Sequence, residues 1–234
     1  MNLSIDTILV PQGAEYQAVC RGLKQANCQK TRVLSIPIGV NNPSKSLEIK
    51  AFYQTKPQRV LMMGLCGGLS PKHSVGDVVL YRDCYDRHRH CCATDTELTD
   101  TIERKLQRVS IVTALTFGDR PICQAAEKLD LAQTYSTSVV DMEGYVYLEE
   151  LQKQNIAVAM LRVVSDDAVG DIPNLDSAID CNGNLKVLPI AIAMLQQPIA
   201  ATRLIRGSLT GLKVLQQVTA ELYGRREKTR LAIS

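Results

Sequence analysis

Short apolar runs alternate with segments of helical periodicity along most of this chain. TILV (7–10) reads as a buried strand, followed by a loop and a helix from Glu15 to about Ala26. RVLSIPIG (32–39) is a second strand, broken by Pro37, and PSKSLEIKAFYQ (43–54) has a helix-like start with Pro43 near its first position. RVLMMGL (59–65), GDVVLYRD (76–83), VSIVTALTFG (109–118), TSVV (137–140) and AVAMLRVVS (157–165) complete the strands, with helices around 95–107, 123–132 and 143–154. The runs are apolar throughout instead of alternating, as in strands covered on both faces. They predict a three-layer α/β/α sandwich with a mixed, mostly parallel central sheet, in a single domain over residues 1–234. A helical extension is expected at 185–222 and a basic tail at 223–234.

Four strands end in distinctive loops: VPQGAE, GLCGGLSP, FGDRP and VVSDDAVGD. In mostly parallel sheets, ligands gather at the carboxyl ends of strands, where loops and helix N-termini converge. A further junction, VVDMEGYVYL (139–148), places Asp141 and Glu143 either side of a methionine where a strand passes into a helix. Either acid is compatible with a helix cap, which the helix dipole favours. Yet Glu15, Glu143 and Asp166 all fall at strand ends, where one crevice would gather them.

Composition narrows the classes. With 234 residues, 45% of them hydrophobic, the chain is long enough for a sizeable core and is not disordered. No run of about 18 uncharged apolar residues occurs, and the N-terminus lacks a basic n-region with a cleavage site, so a cytoplasmic protein is expected. Eight cysteines (Cys20, Cys28, Cys66, Cys84, Cys91, Cys92, Cys123 and Cys181) show no disulfide framework and read as reduced thiols, mostly in the core. His88, His90, Cys91 and Cys92 do not match zinc-ligand spacing, so DRHRHCC reads as a polar strand end or loop and no metal is expected. GLCGG lacks the G-x-G-x-x-G spacing, and only Asp83 and Asp86 stand near the place of a ribose-binding acid, which argues against a dinucleotide enzyme.

MGLCGGLSPKHSVGDVVL, VVDMEGYVYL and LRVVSDDA, in this order and at these separations, resemble the nucleoside phosphorylase and nucleosidase family, notably the methylthioadenosine/adenosylhomocysteine nucleosidases. The resemblance covers most of residues 5–168. It implies cleavage of the N-glycosidic bond of an adenine nucleoside with release of free adenine. Met142 would lie against the sugar, and Glu143 would accept hydrogen bonds from the ribose hydroxyls, since a carboxylate offers two strong acceptors. Negative charge there would also favour the cation-like ribosyl group. Asp141 stands where those nucleosidases usually have Glu, and no role is assigned to it.

Asp166 would be the general acid that protonates the purine at N7. A free aspartate, with a pKa of about 3.9, is almost wholly ionised at pH 7. The role therefore calls for burial, or the neighbouring Asp167, to favour the protonated form; the alternative is a hydrogen bond that forms only as N7 gains electron density. Glu15 occupies the place of the acid that holds the attacking water. If phosphate attacks instead, backbone N–H groups at Cys66 and Gly67 and the Arg162 guanidinium would hold it. Arg162 fits equally well as an interior salt-bridge partner. Leu65, where related nucleosidases have a serine, weakens the hydrolytic reading. The Gly-Asp-Pro-x-Arg loop of one phosphorylase branch is not found, which weakens the other. Phosphate is thus a candidate co-substrate and no other cofactor is expected. TFGDRPI resembles the loop that closes on the purine, with backbone near Ile122 on the adenine edge. Phe117 would stack on base or ribose, or pack in the core. A nucleoside-binding protein with little catalysis is the alternative, supported by Leu65 and Asp141.

The C-terminal third, DAVGDIPNLDSAIDCNGNLKVLPIAIAMLQQP followed by IAATRLIRGSLTGLKVLQQVTAEL, resembles a subgroup associated with hopanoid biosynthesis, whose members remove adenine from an adenosylated triterpene. Ile205, Leu209, Leu212, Leu215, Val218 and Leu222 repeat at helical spacing. They form a face packed on the domain, or, with 185–197, the wall of a groove for a hydrocarbon tail. Residues 199–234 hold seven Lys/Arg against two Asp/Glu, a net +5 in a chain of +3, so the remainder carries −2. This basic end suggests weak peripheral contact with anionic lipid, unless it is simply solvated. Nucleic acid is not an expected partner, because the basic residues are not interleaved with aromatics. The expected partners are a small or lipid-linked adenine nucleoside and further copies of the chain, since relatives form dimers or larger rings.

Overall fold

The computed structural model describes residues 5–37, 39, 52, 54, 55, 57–106, 108–118, 120–175 and 187–224. The helix expected over 43–54 lies almost wholly outside these, as do Cys181 and the tail after Gly224. The elements run β1 (Thr7–Pro11), α1 (Ala14–Gln25), β2 (Arg32–Ile36), β3 (Arg59–Gly68), β4 (Val78–Tyr85), β5 (Cys91–Ala93), α2 (Thr96–Leu106), β6 (Ser110–Thr116), α3 (Ala125–Tyr135), β7 (Val139–Asp141), α4 (Gly144–Lys153), β8 (Ala157–Asp166), α5 (Val187–Gln196) and α6 (Pro198–Tyr223).

The expected α/β architecture with a mixed sheet is present. Pairs β1–β2, β1–β3, β3–β8, β4–β6 and β6–β7 are parallel; β3–β7, β4–β5 and β4–β8 are antiparallel. Pairing therefore runs in a circuit from β3 through β8, β4, β6 and β7 back to β3. Alternation along the continuously apolar strands sends neighbouring residues to opposite faces. In β3, Val60 and Met62 join one core with Tyr147, Leu148 and Leu151 of α4. Leu61 and Met63 join the other with Val19 of α1, Ile102 of α2, and Leu215 and Leu222 of α6. All four β3 side chains are fully buried, each contributing about 1.5–3 kcal/mol.

One departure from the pattern reading has a clear cause. β5 is absent from the expected strands because it is short and polar in context; it pairs only with β4, and Cys91 and Ala93 are exposed. Pro198 opens α6, where its missing N–H costs nothing. The seam of α6 also differs. Gly207, Gly211, Leu215, Val218 and Leu222 face inward, whereas Ile205 and Leu209 are exposed.

One irregularity matters for function. The β3–β8 register runs evenly to Cys66↔Val164 and then jumps to Gly67↔Asp166, leaving Ser165 as an extra residue on β8. Such a bulge re-aims the side chain that follows. On the other side of Gly67 lies Val140 of β7. The end of β3 is thus flanked by Asp166 on one neighbour and by the strand leading to Asp141 and Glu143 on the other. At strand spacing, the two flanking backbones are about 10 Å apart.

Candidate active site

Glu15 reaches this strand end from the first turn of α1. Gly13, at φ 90°, is in the left-handed region that suits glycine and turns the chain from β1 into the helix. The Leu65 N–H of β3 donates to Glu15 Oε1 at 2.6 Å. Burial raises the Glu15 pKa to about 7, against the lowering effects of this hydrogen bond and of Arg162.

The two acids of the DMEG segment divide the work that the sequence left undivided. Asp141 Oδ1 accepts from Gly144 N–H at 3.1 Å and from Thr116 Oγ1 at 2.6 Å; Tyr145 N–H in turn donates to Thr116 Oγ1 at 2.7 Å. Asp141 and Thr116 together satisfy free donors at the start of α4. Glu143 precedes the helix without capping it. Its carboxylate turns inward, 97% buried, and burial raises its pKa to about 8, with Arg162 opposing and Asp141 and Glu15 reinforcing.

Arg162, fully buried on β8, holds these acids together. Its Nη2 lies 3.0 Å from Glu143 Oε1 and 3.2 Å from Asp141 Oδ2, in charge contact without hydrogen-bond geometry. Burial opposes its charge, but the Glu143 and Asp141 carboxylates outweigh that cost and raise its pKa above the usual arginine range. Gly64 makes room for this packing, since a Cβ there would stand 2.3 Å from Arg162 Nη1 and 2.8 Å from Glu15 Oε1. Gly64→Ala is expected to destabilise the protein by about 1–3 kcal/mol through overpacking and to displace Glu15; thermal melts and activity of the variant check it.

Asp166 is held differently from what its proposed role requires. Ser165 Oγ donates to Asp166 Oδ1 at 2.9 Å, and the ammonium of Lys128 on α3 donates to Oδ2 and, at 2.8 Å, to the Asp167 carbonyl. Lys128 is fully buried. Asp167 has partners of its own. Its carboxylate accepts from Val169 N–H at 3.2 Å and pairs with Arg203 at 3.9 Å, so it turns away from Asp166.

A cavity of about 170 Å³ brings most of the candidate residues together: Glu15, Cys66, Gly67, Ile122, Met142, Glu143 and Asp166 line it, with Leu65 and Asp141. Two others are placed elsewhere. Arg162 lies behind the carboxylates and does not line the cavity, so its interior ion-pair reading replaces that of an anion ligand. Phe117 packs with Leu115 and Ile122 beneath the Arg120 guanidinium, 5.5 Å from its ring centre, and does not line the cavity either. Arg120 does line it and pairs with Glu127. Burial holds the Cys66 thiol well above its ordinary range.

Residues 15–186 match the Phosphorylase superfamily. The chain belongs to this superfamily. Solved structures of the same fold include the 5′-methylthioadenosine nucleosidase of Arabidopsis thaliana in its apo form, 16% identical over 95% of this chain and 93% of that one, with a TM-score of 0.63. A putative 5′-methylthioadenosine/S-adenosylhomocysteine nucleosidase of Borrelia burgdorferi, bound to adenine, is 12% identical over 92% and 98%, with a TM-score of 0.64. A futalosine hydrolase mutant of Helicobacter pylori is 14% identical over 92% and 98%, with a TM-score of 0.62. No curated protein matches the chain.

Other features of this superfamily member lie apart from the cavity. His90 Nδ1 contacts Asp86 Oδ2 at 2.9 Å in the turn between β4 and β5. Among the described residues, no group of three or more His, Cys, Asp or Glu is arranged to hold a metal ion, and no helix is long and apolar enough to cross a membrane. The seven described cysteines are free thiols.

Proposed function

We propose that this protein hydrolyses the N-glycosidic bond of an adenine nucleoside, releasing free adenine. The observation that carries the reading is the presence of Glu15, Glu143 and Asp166 on one cavity. Glu143 binds the ribose hydroxyls beside Met142, Asp166 meets the purine near Ile122, and Glu15 orients and deprotonates the attacking water. A carboxylate with a pKa near working pH suits that last task. Water is favoured over phosphate because the Arg162 guanidinium, the cation nearest these acids, is occupied by Glu143 and Asp141. Adenine as the base is suggested by the adenine-bound fold relative.

The test is release of adenine from methylthioadenosine, adenosine and a lipid-linked adenosine, each with and without phosphate. Hydrolysis gives equal rates in both conditions and a free sugar. A phosphate requirement with a sugar 1-phosphate product overturns the choice of water, and no base release from any substrate overturns the reading. Asp166→Asn is expected to slow release by at least about a hundredfold; a near-normal rate would remove Asp166 from the reaction.

A lipid-linked substrate is favoured by one further observation. Leu188 and Leu195 of α5 and Ile199 of α6 are 70%, 82% and 87% exposed. The depressions around Gln197 and Ile199 adjoin the cavity through Asp171, Ile172 and Arg120. An adenosylated hydrocarbon of the hopanoid kind would cover these side chains while its sugar enters the cavity. Faster cleavage of lipid-linked adenosine than of methylthioadenosine is the expected result.

A further inference from the structure

A lysine with no exposed surface is an expensive group to bury unless its charge is met. Lys128 meets Asp166 Oδ2 and the Asp167 carbonyl, and it approaches from behind, outside the cavity lining. Glu127, next in sequence, is taken by Arg120, and Leu131, one turn on, packs with Ile122 and Val140. The ammonium is thus placed where it serves the carboxylate that faces the purine.

Resting on the hydrolytic reading above, we propose that Lys128 is the proton reserve of Asp166. As the C1′–N9 bond breaks, its electron pair goes to the purine and N7 takes a proton from the Asp166 carboxyl. That proton comes from Lys128 Nζ, so Asp166 ends as the carboxylate it began as and Lys128 as a neutral amine. The attacking water gives a proton to Glu15 and its oxygen to C1′. Solvent exchange then carries one proton from Glu15 back to Lys128, and the sum is nucleoside plus water to sugar plus base. Moving a proton within the pair also removes two opposite charges from a buried site, so the neutral form is not penalised as a lone charge would be. Lys128 is a positioning residue that acts through Asp166 and does not touch the substrate.

The experiment compares adenosine with 7-methyladenosine, whose ring already carries a fixed positive charge and needs no proton at N7. Lys128→Arg keeps the ion pair but does not release its proton; Lys128→Met removes the pair at similar volume. Lys128→Arg is expected to lose about a hundredfold in kcat on adenosine, with KM within about threefold, while its kcat on 7-methyladenosine stays within about threefold of the parent protein. Equal losses on both substrates would reduce Lys128 to a structural support and overturn the proposal, as would no loss on adenosine. If Lys128→Arg does not fold, Lys128→Met decides through its pH profile: adenosine cleavage that falls relative to 7-methyladenosine cleavage as pH rises is expected, because Asp166 then depends on solvent for its proton, and parallel profiles would overturn the proposal. Failure of the parent protein to cleave either nucleoside would instead overturn the hydrolytic reading, and this proposal with it.

Discussion

Replacing Glu15 by glutamine is expected to slow base release by about a thousandfold, within the range for a lost general base. The glutamine oxygen can still accept from Leu65 N–H, as Glu15 Oε1 does, so the loop and helix stay in place. What is lost is the ability to take a proton from water. The pH dependence of the parent protein checks the same point. Activity is expected to rise through about pH 7 as Glu15 ionises. Stability should move in the opposite direction. The folded state binds protons at Glu15 and Glu143 more tightly than the unfolded chain does, with pKa values raised from 4.5 to about 7 and about 8. Their stabilising contribution is present below about pH 4.5 and is lost as pH rises toward 8. Glu15→Gln is therefore expected to melt no lower than the parent protein at pH 8 while being nearly inactive. A normal rate would remove Glu15 from the mechanism. A stability that rises from pH 5 to pH 8 would contradict the buried-carboxylate account.

The layers and most strand limits were readable because buried strands and amphipathic helices leave distinct periods. β8 was expected to end at Ser165 and ends at Asp166; α4 was expected from 143 and begins at Gly144. β5 escaped notice because three residues among histidines and arginines carry no apolar run. The acids at strand ends were visible as types, but their directions were not. Val139, Val140 and Asp141 are all buried, so no inside–outside alternation tells which way the aspartate points. Asp141 thus emerged only with its partners Thr116, Gly144 and Arg162. Lys128 was harder still. In AAEKLDLAQTY a lysine reads as a solvated side chain, and nothing local signals a carboxylate 38 residues further on. The one available signal was the demand that the role of Asp166 made on its surroundings, for which the sequence offered burial or Asp167 and gave no hint of Lys128.

Arg162→Met is expected to destabilise the protein by about 3–5 kcal/mol, the usual result of leaving a buried charge without its partner. Methionine fills much of the volume, so the loss is electrostatic and not mainly a cavity effect. Arg162 lowers the pKa of both Glu15 and Glu143; without it both carboxyls would bind protons more tightly and stay neutral to higher pH. The variant should consequently be much closer to the parent protein in stability at pH 5 than at pH 8, and chemical denaturation at the two values measures the difference. Adding Glu143→Gln should return part of the lost stability at pH 8, because the second change removes a charge that the first left exposed to a low-dielectric interior. Activity should not return with it, since Glu143 is then missing from the ribose. An Arg162→Met protein as stable as its parent at pH 8 would mean that this guanidinium does not hold the acids together. Convergence of Glu15, Asp141 and Glu143 at the end of β3 would then need another cause.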